Sequence, residues 1–299
     1  MQVLVTGSDG FIGKEVCAEL KREGHSVKEF SLEAGKDIND YAQINSAVKG
    51  CGATIHLAAL LSETKGKKEM EKVNVKGTEN VLEACVANNV KRFVFASSVG
   101  VYGDNDSEIT ERTRQNPKTT YETTKAEAEK LVWKYKEKLG VSVVRPAIVY
   151  GPNKTWQKFF RMANDNWPLV GNGKQEWQLV YVKDLARAIV LVMESENAVG
   201  EDYIIANPER FTYRELMERI AETCGKKYKP IKLPVWLVYL GSFIPYFIAK
   251  IKGKESFVNP STIKRNVRNR KYDAGKIMKL GWKPEYSLAE GLKEIWKEM

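Results

Sequence analysis

The stretch "QVLVTGSDGFIGKEVCAEL" (2–20) constrains this chain more than any other. Residues 2–6 are a short apolar, β-branched run that stops at Gly7. From there Phe11, Ile12, Val16, Cys17 and Leu20 recur at helical spacing until Gly24. The pattern predicts a strand, a tight turn and a helix, with Gly7, Gly10 and Gly13 at the turn. In that setting the first glycine permits the sharp turn, the second lets backbone approach a pyrophosphate, and the third lets the helix pack closely on the sheet. The helix N-terminus offers unpaired N–H groups and a partial positive charge to phosphates. A dinucleotide site is therefore expected here.

The same unit recurs along the chain. "HSVKEF" (25–30), "ATIHLAA" (53–59), "RFVFASS" (92–98) and "VSVVRPAIVY" (141–150) read as strands, and helical patterns at about 41–49, 70–88 and 122–139 lie between them. Strands alternating with helices imply parallel βαβ units, hence an α/β fold with a doubly wound parallel sheet. "YVKDLARAIVLVME" (181–194) reads as a further helix and "DYIIA" (202–206) as a further strand. The expected organisation is a dinucleotide-binding core over 1–152, a substrate-lobe segment over 153–180, a return to the core over 181–207, and mainly a smaller C-terminal substrate lobe over 208–299. In that last part Pro230, Pro234, Pro245, Pro260 and Pro284 break the pattern.

Composition narrows the function classes. With 299 residues, 43% of them hydrophobic, the chain can bury a large core. Cys17, Cys51, Cys85 and Cys224 are far apart and form no C-x-x-C pair, so reduced structural thiols and no metal site are expected. The net charge of +10 is spread over the whole chain without a nucleic-acid-binding module. Solvated faces explain it, no nucleic-acid partner is expected, and the field suits an acidic cofactor or substrate. Met1 runs directly into "QVLVTG" with neither a basic n-region nor an apolar h-region, which predicts a cytoplasmic protein.

"YETTK" (121–125) places a Tyr and a Lys four residues apart, on one face of a helix. The same spacing occurs at Tyr150/Lys154, Tyr228/Lys232, Tyr246/Lys250 and Tyr272/Lys276, so spacing alone does not select a catalytic pair. At the end of the second strand, where an acidic side chain would bind the ribose 2'-hydroxyl, stands Ser31; the nearest acid is Glu33, and Lys36 is close by. NAD and NADP both remain open as the cofactor.

Eight motifs in order resemble the extended short-chain dehydrogenase/reductase superfamily. They are "TGSDGFIG" (6–13), "DI" (37–38), "HLAA" (56–59), "NVKGTENVLEA" (74–84), "SSVGVYG" (97–103), "YETTK", "RPAIVYGP" (145–152) and "YVKDLARA" (181–188). The resemblance implies a Rossmann domain that binds NAD(P), a small-molecule substrate held by the smaller lobe, and a homodimer built from long helices, including the one starting near Tyr121. It identifies Ser98, Tyr121 and Lys125 as catalytic. Around the cofactor it implies Gly7, Gly10, Phe11, Ile12, Gly13, Ser31, Asp37, Ile38, Leu57, Ala58, Ala59, Asn74, Pro146 and Val149, with Tyr121 and Lys125 also touching it. Val99 and Trp177 are implied at the substrate.

The chemistry fits the residue types. A free Tyr, with a pKa of about 10, is a poor base at neutral pH until a neighbouring cation stabilises its phenolate, and Lys125 lies one turn away. Ser98 would hold the substrate oxygen and stabilise charge developing on it; Ser97 is its nearest competitor. His56, inside an apolar strand, reads as a satisfied buried histidine rather than a base. Asn74 either binds backbone near the site or caps a helix.

The leading expectation is an NAD(P)-dependent oxidoreductase interconverting a secondary alcohol and a ketone, with an apolar or hydroxysteroid-like substrate. The alternatives are a nucleotide-sugar 4-epimerase of the UDP-glucose/UDP-galactose type and a non-catalytic NAD(P)-binding sensor or scaffold. Sugar-nucleotide members of the superfamily carry an Arg at the place of Trp177, so the diphosphate would need Lys174, Arg161 or Lys158. "PVWLVYLGSFIPYFIA" (234–249) is uncharged and too short to span a bilayer. It would roof an apolar pocket, touch a membrane surface peripherally beside "KRNVRNRK" (264–271), or pack as lobe core.

Overall fold

The computed structural model describes residues 1–61, 66–105, 107–251, 260, 263 and 266–299. Its elements in chain order are β1 (Gln2–Thr6), α1 (Phe11–Arg22), β2 (Ser26–Phe30), α2 (Tyr41–Val48), β3 (Ala53–His56), α3 (Lys67–Glu71), a π-helical turn (Lys72–Gly77) and α4 (Thr78–Ala87). Then come β4 (Arg92–Ala96), a 3-10 turn (Val99–Tyr102), α5 (Thr120–Trp133), β5 (Gly140–Pro146), β6 (Ile148–Tyr150), α6 (Lys154–Asn164), β7 (Leu169–Val170), β8 (Glu176–Tyr181), α7 (Val182–Glu194) and β9 (Asp202–Ile205). The last part holds β10 (Arg210–Thr212), α8 (Tyr213–Thr223), β11 (Lys232–Leu233), α9 (Val235–Gly241), α10 (Phe243–Ile251), α11 (Gly275–Lys279) and α12 (Leu288–Lys297).

Six strands form one parallel sheet in the order β2-β1-β3-β4-β5-β9. Alternation along each strand sends neighbouring residues to opposite faces. Val3, Val5, Ile55, Val94 and Val144 meet α1 and α7 on one face through Val16, Leu20, Leu185, Ile189 and Val192. Leu4, Phe93, Phe95, Val141 and Val143 meet α2, α4 and α5 on the other through Ile44, Val48, Val81, Leu82 and Val132. Both faces are thus covered, which is why these strands read as continuous apolar runs. Each fully buried aliphatic side chain of this kind contributes about 1.5–3 kcal/mol relative to exposure.

A second cluster forms the lobe. Trp156 and Phe160 of α6, Trp177, Leu179 and Tyr181 of β8, Leu216 and Ile220 of α8, and Leu288, Leu292 and Ile295 of α12 are buried together. Between these lobe elements, Tyr272, Ala274, Ile277 and Trp282 pack into the sheet's own cluster, a crossing that the irregular composition of 208–299 did not disclose. The crossing segment is stitched to two places at once. Ile109 N–H donates to Lys271 O (2.9 Å), Asp273 N–H donates to Ile109 O (2.9 Å), and Tyr272 N–H donates to Gln178 Oε1 (2.7 Å).

Four sequence expectations need correction. The single strand expected over 141–150 is two strands in different sheets, because the chain leaves the main sheet after Pro146 and β6 pairs with β8 of a three-stranded sheet. Proline has no N–H with which to continue a ladder. The helix expected over 70–88 contains the π-helical turn, and the one expected over 122–139 ends at Trp133. The apolar segment 234–249 is not lobe core. Trp236, Leu240, Ile244 and Phe247 are 65%, 59%, 68% and 54% exposed. No described helix is long and apolar enough to cross a membrane.

Candidate active site

The glycine turn is built as its spacing demands. Gly7 has φ +73°, a left-handed conformation, and a side chain there would lie 2.9 Å from Ala58 N. A Cβ on Gly13 would sit 2.1 Å from Gly7 O, so α1 packs directly on the turn and its N-terminus, at Gly10, points out of it. Phe11 and Ile12 open α1 and are partly buried. Ser8 Oγ is buried with no hydrogen-bond partner among the described residues. A cradle that side chains would fill, a helix N-terminus and an orphaned hydroxyl all fit a bound pyrophosphate.

Around this turn lie the other residues expected at the cofactor. Ser31, buried at the end of β2, donates its hydroxyl hydrogen to Asp9 Oδ2 from inside the glycine loop. Asp37 Oδ1 accepts from Asn39 N (2.9 Å), and Ile38 is buried, with its carbonyl accepting from Asn80 Nδ2 (3.0 Å). Leu57 and Ala58 leave the end of β3 tied to Thr6, through Leu57 N to Thr6 O (3.1 Å) and Ala58 N to Thr6 Oγ1 (3.4 Å); Ala59 follows, exposed. Pro146 ends β5 beside Ile205, and Val149 pairs with Val180 while its carbonyl accepts from Trp156 Nε1 (2.9 Å).

The π-helical turn gives Asn74 its place. Buried there, its Oδ1 accepts from Leu60 N (2.6 Å), while its Nδ2 donates to Leu60 O (3.0 Å) and Thr124 Oγ1 (3.0 Å). Asn74 thus clamps the loop after β3 to α5 rather than capping a helix end. Insertions of this π type recur at functional sites because they turn one side chain inward out of the helical register.

Helix α5 starts with a capping box. Thr119 Oγ1 accepts from Glu122 N (3.3 Å) and Glu122 Oε2 accepts from Thr119 N (2.9 Å), which sets Tyr121 in the first turn and Lys125 one turn below. Burial pushes the Tyr121 phenol up to about 12. Lys125 is 2% exposed, with Nζ 4.1 Å over the Phe95 ring, and burial pulls its ammonium down to about 7 against the opposing pull of Glu129. Ser98 caps the 3-10 turn after β4, its Oγ accepting from Gly100 N (3.0 Å). A Cβ on Gly100 would lie 3.3 Å from Ser98 Oγ and 3.0 Å from Glu122 Cγ, so the Ser98 turn and the first turn of α5 are in contact. The competitor Ser97 is buried, and its Oγ has no partner among the described residues.

The structure adds residues that sequence reading missed. Arg145 donates through Nε to Glu129 Oε2 (3.1 Å), through Nη2 to Glu129 Oε1, and through Nη1 to the Tyr102 hydroxyl (2.7 Å), and its Nη1 pairs with Asp202 Oδ2 at 2.5 Å. This network locks the loop around Tyr102, the sheet and α5 together one turn beyond Lys125. The only signal was the charged Arg within the apolar run before Pro146, and it names no partner. His56 is satisfied on both nitrogens, by Thr6 Oγ1 (2.6 Å) at Nδ1 and Thr78 Oγ1 (2.9 Å) at Nε2. The Thr78 hydroxyl donates to Asn74 O (2.7 Å), so it accepts from Nε2–H. Burial, aided by Lys125, lowers this imidazole to about 3, and it stays neutral.

Of the two residues implied at the substrate, Val99 is buried in the sheet's cluster and Trp177 in the lobe's. The Arg270 guanidinium lies 4.4 Å over the Trp177 ring, brought there by the segment whose Arg270 N–H donates to Glu176 O (2.8 Å).

A six-stranded parallel sheet, a glycine turn fitted to a pyrophosphate, and a Tyr–Lys pair on the helix beside it define a dinucleotide-binding enzyme. The chain belongs to the NAD dependent epimerase/dehydratase family, whose pattern matches residues 3–206, within the extended short-chain dehydrogenase/reductase superfamily. It is 26% identical to N-acetyl-alpha-D-glucosaminyl-diphospho-ditrans,octacis-undecaprenol 4-epimerase of Escherichia coli O157:H7, over 97% of this chain and 92% of that protein. It is 27% identical to a 3-beta-hydroxysteroid dehydrogenase of Mycolicibacterium neoaurum, over 98% of this chain and 90% of that protein. The solved UDP-glucose 4-epimerase of Thermotoga maritima with UDP-glucose superposes with a TM-score of 0.79 at 25% identity, covering 100% of this chain and 98% of that one. The cofactor is NAD(P).

Proposed function

We propose that the protein is an NAD-dependent 4-epimerase of a sugar diphosphate, oxidising one secondary alcohol and re-reducing it from the other face. When bound, the nicotinamide supplies the acceptor and then the donor of hydride. The Tyr121 hydroxyl, as phenolate, takes the proton of the substrate hydroxyl and returns it in the second half of the reaction. Lys125 stabilises that phenolate from one helical turn away, and Ser98 hydrogen-bonds the substrate oxygen as its charge changes. Asn74 and the Arg145–Glu129 pair hold α5 in place and are positioning residues.

The observation that carries the choice of substrate is Arg270 over Trp177. Trp177 alone argued against a diphosphate; a guanidinium delivered to the same place from the C-terminal segment supplies the missing positive charge. The relatives named as 4-epimerases support this reading. Purified protein with UDP-glucose or UDP-N-acetylglucosamine should yield the 4-epimer without net change in absorbance at the reduced-nicotinamide band. Stoichiometric accumulation of reduced cofactor with a hydroxysteroid would instead establish the second reading, an alcohol dehydrogenase, which the 3-beta-hydroxysteroid dehydrogenase relative favours.

Cofactor choice is proposed to rest on Asp9. Hydrogen-bonded to Ser31, it sets a carboxylate at the end of β2, where the resident acid is missing from the sequence. A carboxylate there accepts from a ribose 2'-hydroxyl and repels a 2'-phosphate, so NAD is preferred. Asp9→Ala should raise the Kd for NAD about tenfold and narrow the gap to NADP; an unchanged ratio of the two affinities would remove Asp9 from this role.

A further inference from the structure

We infer that the bent helical segment α9–α10 is a docking surface for an anionic lipid bilayer. Its apolar side chains are presented outward rather than into the lobe: Trp236, Leu237, Leu240, Ile244, Phe247 and Ile248 are all exposed, and Ile251 is 86% exposed. Scattered exposed apolar residues need no explanation, but a contiguous set on two adjoining helices marks an interaction site.

The segment is a built surface. It is anchored where β11 pairs with β7, Lys232 beside Leu169 and Leu233 beside Val170. At the bend Ser242 is buried in helical conformation, donating its N–H to Val238 O (2.9 Å) and its hydroxyl hydrogen to Tyr239 O (2.6 Å). The Tyr239 and Phe243 rings meet edge to face at 5.4 Å across the bend, and Phe243 stacks on Phe247 at 6.5 Å one turn further on. These rings line one side of the segment, and the remaining apolar side chains face solvent.

Charge selects the occupant. From Gly225 to Lys254 the sequence carries seven lysines, Lys226, Lys227, Lys229, Lys232, Lys250, Lys252 and Lys254, and no Asp or Glu. Lys226, Lys227, Lys229 and Lys232 are exposed just before α9. An apolar centre flanked by lysines matches a bilayer with anionic headgroups, where each basic side chain near the surface adds attraction. A second copy of the same face would bring lysines against lysines, which disfavours self-association through it. The two helices run on through Ser242 as 17 residues, about 25 Å even if straight, too short to cross about 30 Å of hydrocarbon but suited to the boundary layer. Trp236, Tyr239 and Tyr246 are the side-chain types that settle at that boundary.

This inference goes beyond the catalytic reading and stands separately, because vesicle binding is measured without sugar or cofactor. The full chain should co-sediment with vesicles of phosphatidylcholine containing about one third phosphatidylglycerol at least tenfold more than with phosphatidylcholine alone, and several-fold less when salt is raised from 0.1 to 0.5 M. Leu240→Glu with Ile244→Glu should reduce that binding about tenfold at an unchanged Tm, since both side chains face solvent. Lys229→Glu with Lys232→Glu should reduce it on anionic vesicles alone. Absence of vesicle binding by the wild-type chain overturns the proposal. It is equally overturned if the anionic preference survives the lysine changes, or if Ile244→Glu only disperses an oligomer or raises the KM of the enzyme without affecting vesicles.

Discussion

The glycine turn and the junction of α9 with α10 treat a side chain oppositely. At the turn, a methyl group on Gly13 would lie 2.1 Å from Gly7 O; at the junction, one on Gly241 meets nothing within 4 Å. On α5, Lys125 is sealed from water, whereas Trp236 and Ile251 stand in it. The contrast teaches that the chain invests its packing around the glycine turn and α5. Along α9 and α10 it leaves apolar surface uncovered instead.

The largest effect that tests this contrast concerns the same sequence spacing in both regions. Tyr121→Phe should lower kcat by about 10²–10⁴ with little change in Tm, because only the hydroxyl is removed. Tyr246→Phe, in the Tyr-x-x-x-Lys spacing of α10, should leave kcat unaltered in the same assay. Equal losses in the two variants would abolish the distinction between the regions.

Next in size is the pair of glycines. Gly13→Ala forces α1 off the turn and should cost about 3 kcal/mol or more in urea unfolding, with loss of NAD binding by calorimetry. Gly241→Ala, in an open helix end, should stabilise by about 0.5–1 kcal/mol in the same unfolding experiment.

The smaller effect is electrostatic. Lys125 ordinarily titrates near 10.5 and in the folded protein is pulled down to about 7. Between those values the unfolded chain holds a proton that the folded one has released, so stability rises with pH through that window and the penalty is complete below about 7. Lys125→Met should therefore be more stable than the parent at pH 6–7, by about 1–3 kcal/mol, while inactive. The difference should close as pH approaches 10.5, and thermal unfolding across that range measures it.

Much of the fold was legible because burial on both faces makes a strand apolar throughout, and because a glycine triplet between strand and helix has few other uses. The order of β1 to β5 and the place of Gly7, Gly10 and Gly13 follow from those two facts. What was not legible depends on partners distant in sequence. Asp9 acquires a role only because Ser31, 22 residues on, orients it; Arg145 finds Glu129 and Tyr102; Arg270 reaches Trp177 across 93 positions. The π-helical turn was hidden because its composition, "KVNVKG", is that of an ordinary helix segment. The apolar segment 234–249 misled in another way. Its hydropathy gives how apolar it is but not which way it faces, and its exposure depends on what the rest of the chain leaves uncovered.

The bridge between Ile109 and Tyr272 sets an order of events. The loop that leads from the Ser98 turn into α5 is pinned, at Ile109, by residues made more than 160 codons later. A nascent chain on the ribosome can assemble the sheet and close the glycine turn while that loop still lacks its fastening. The loop that carries Ile109 thus reaches its final place only once the segment around Tyr272 has emerged.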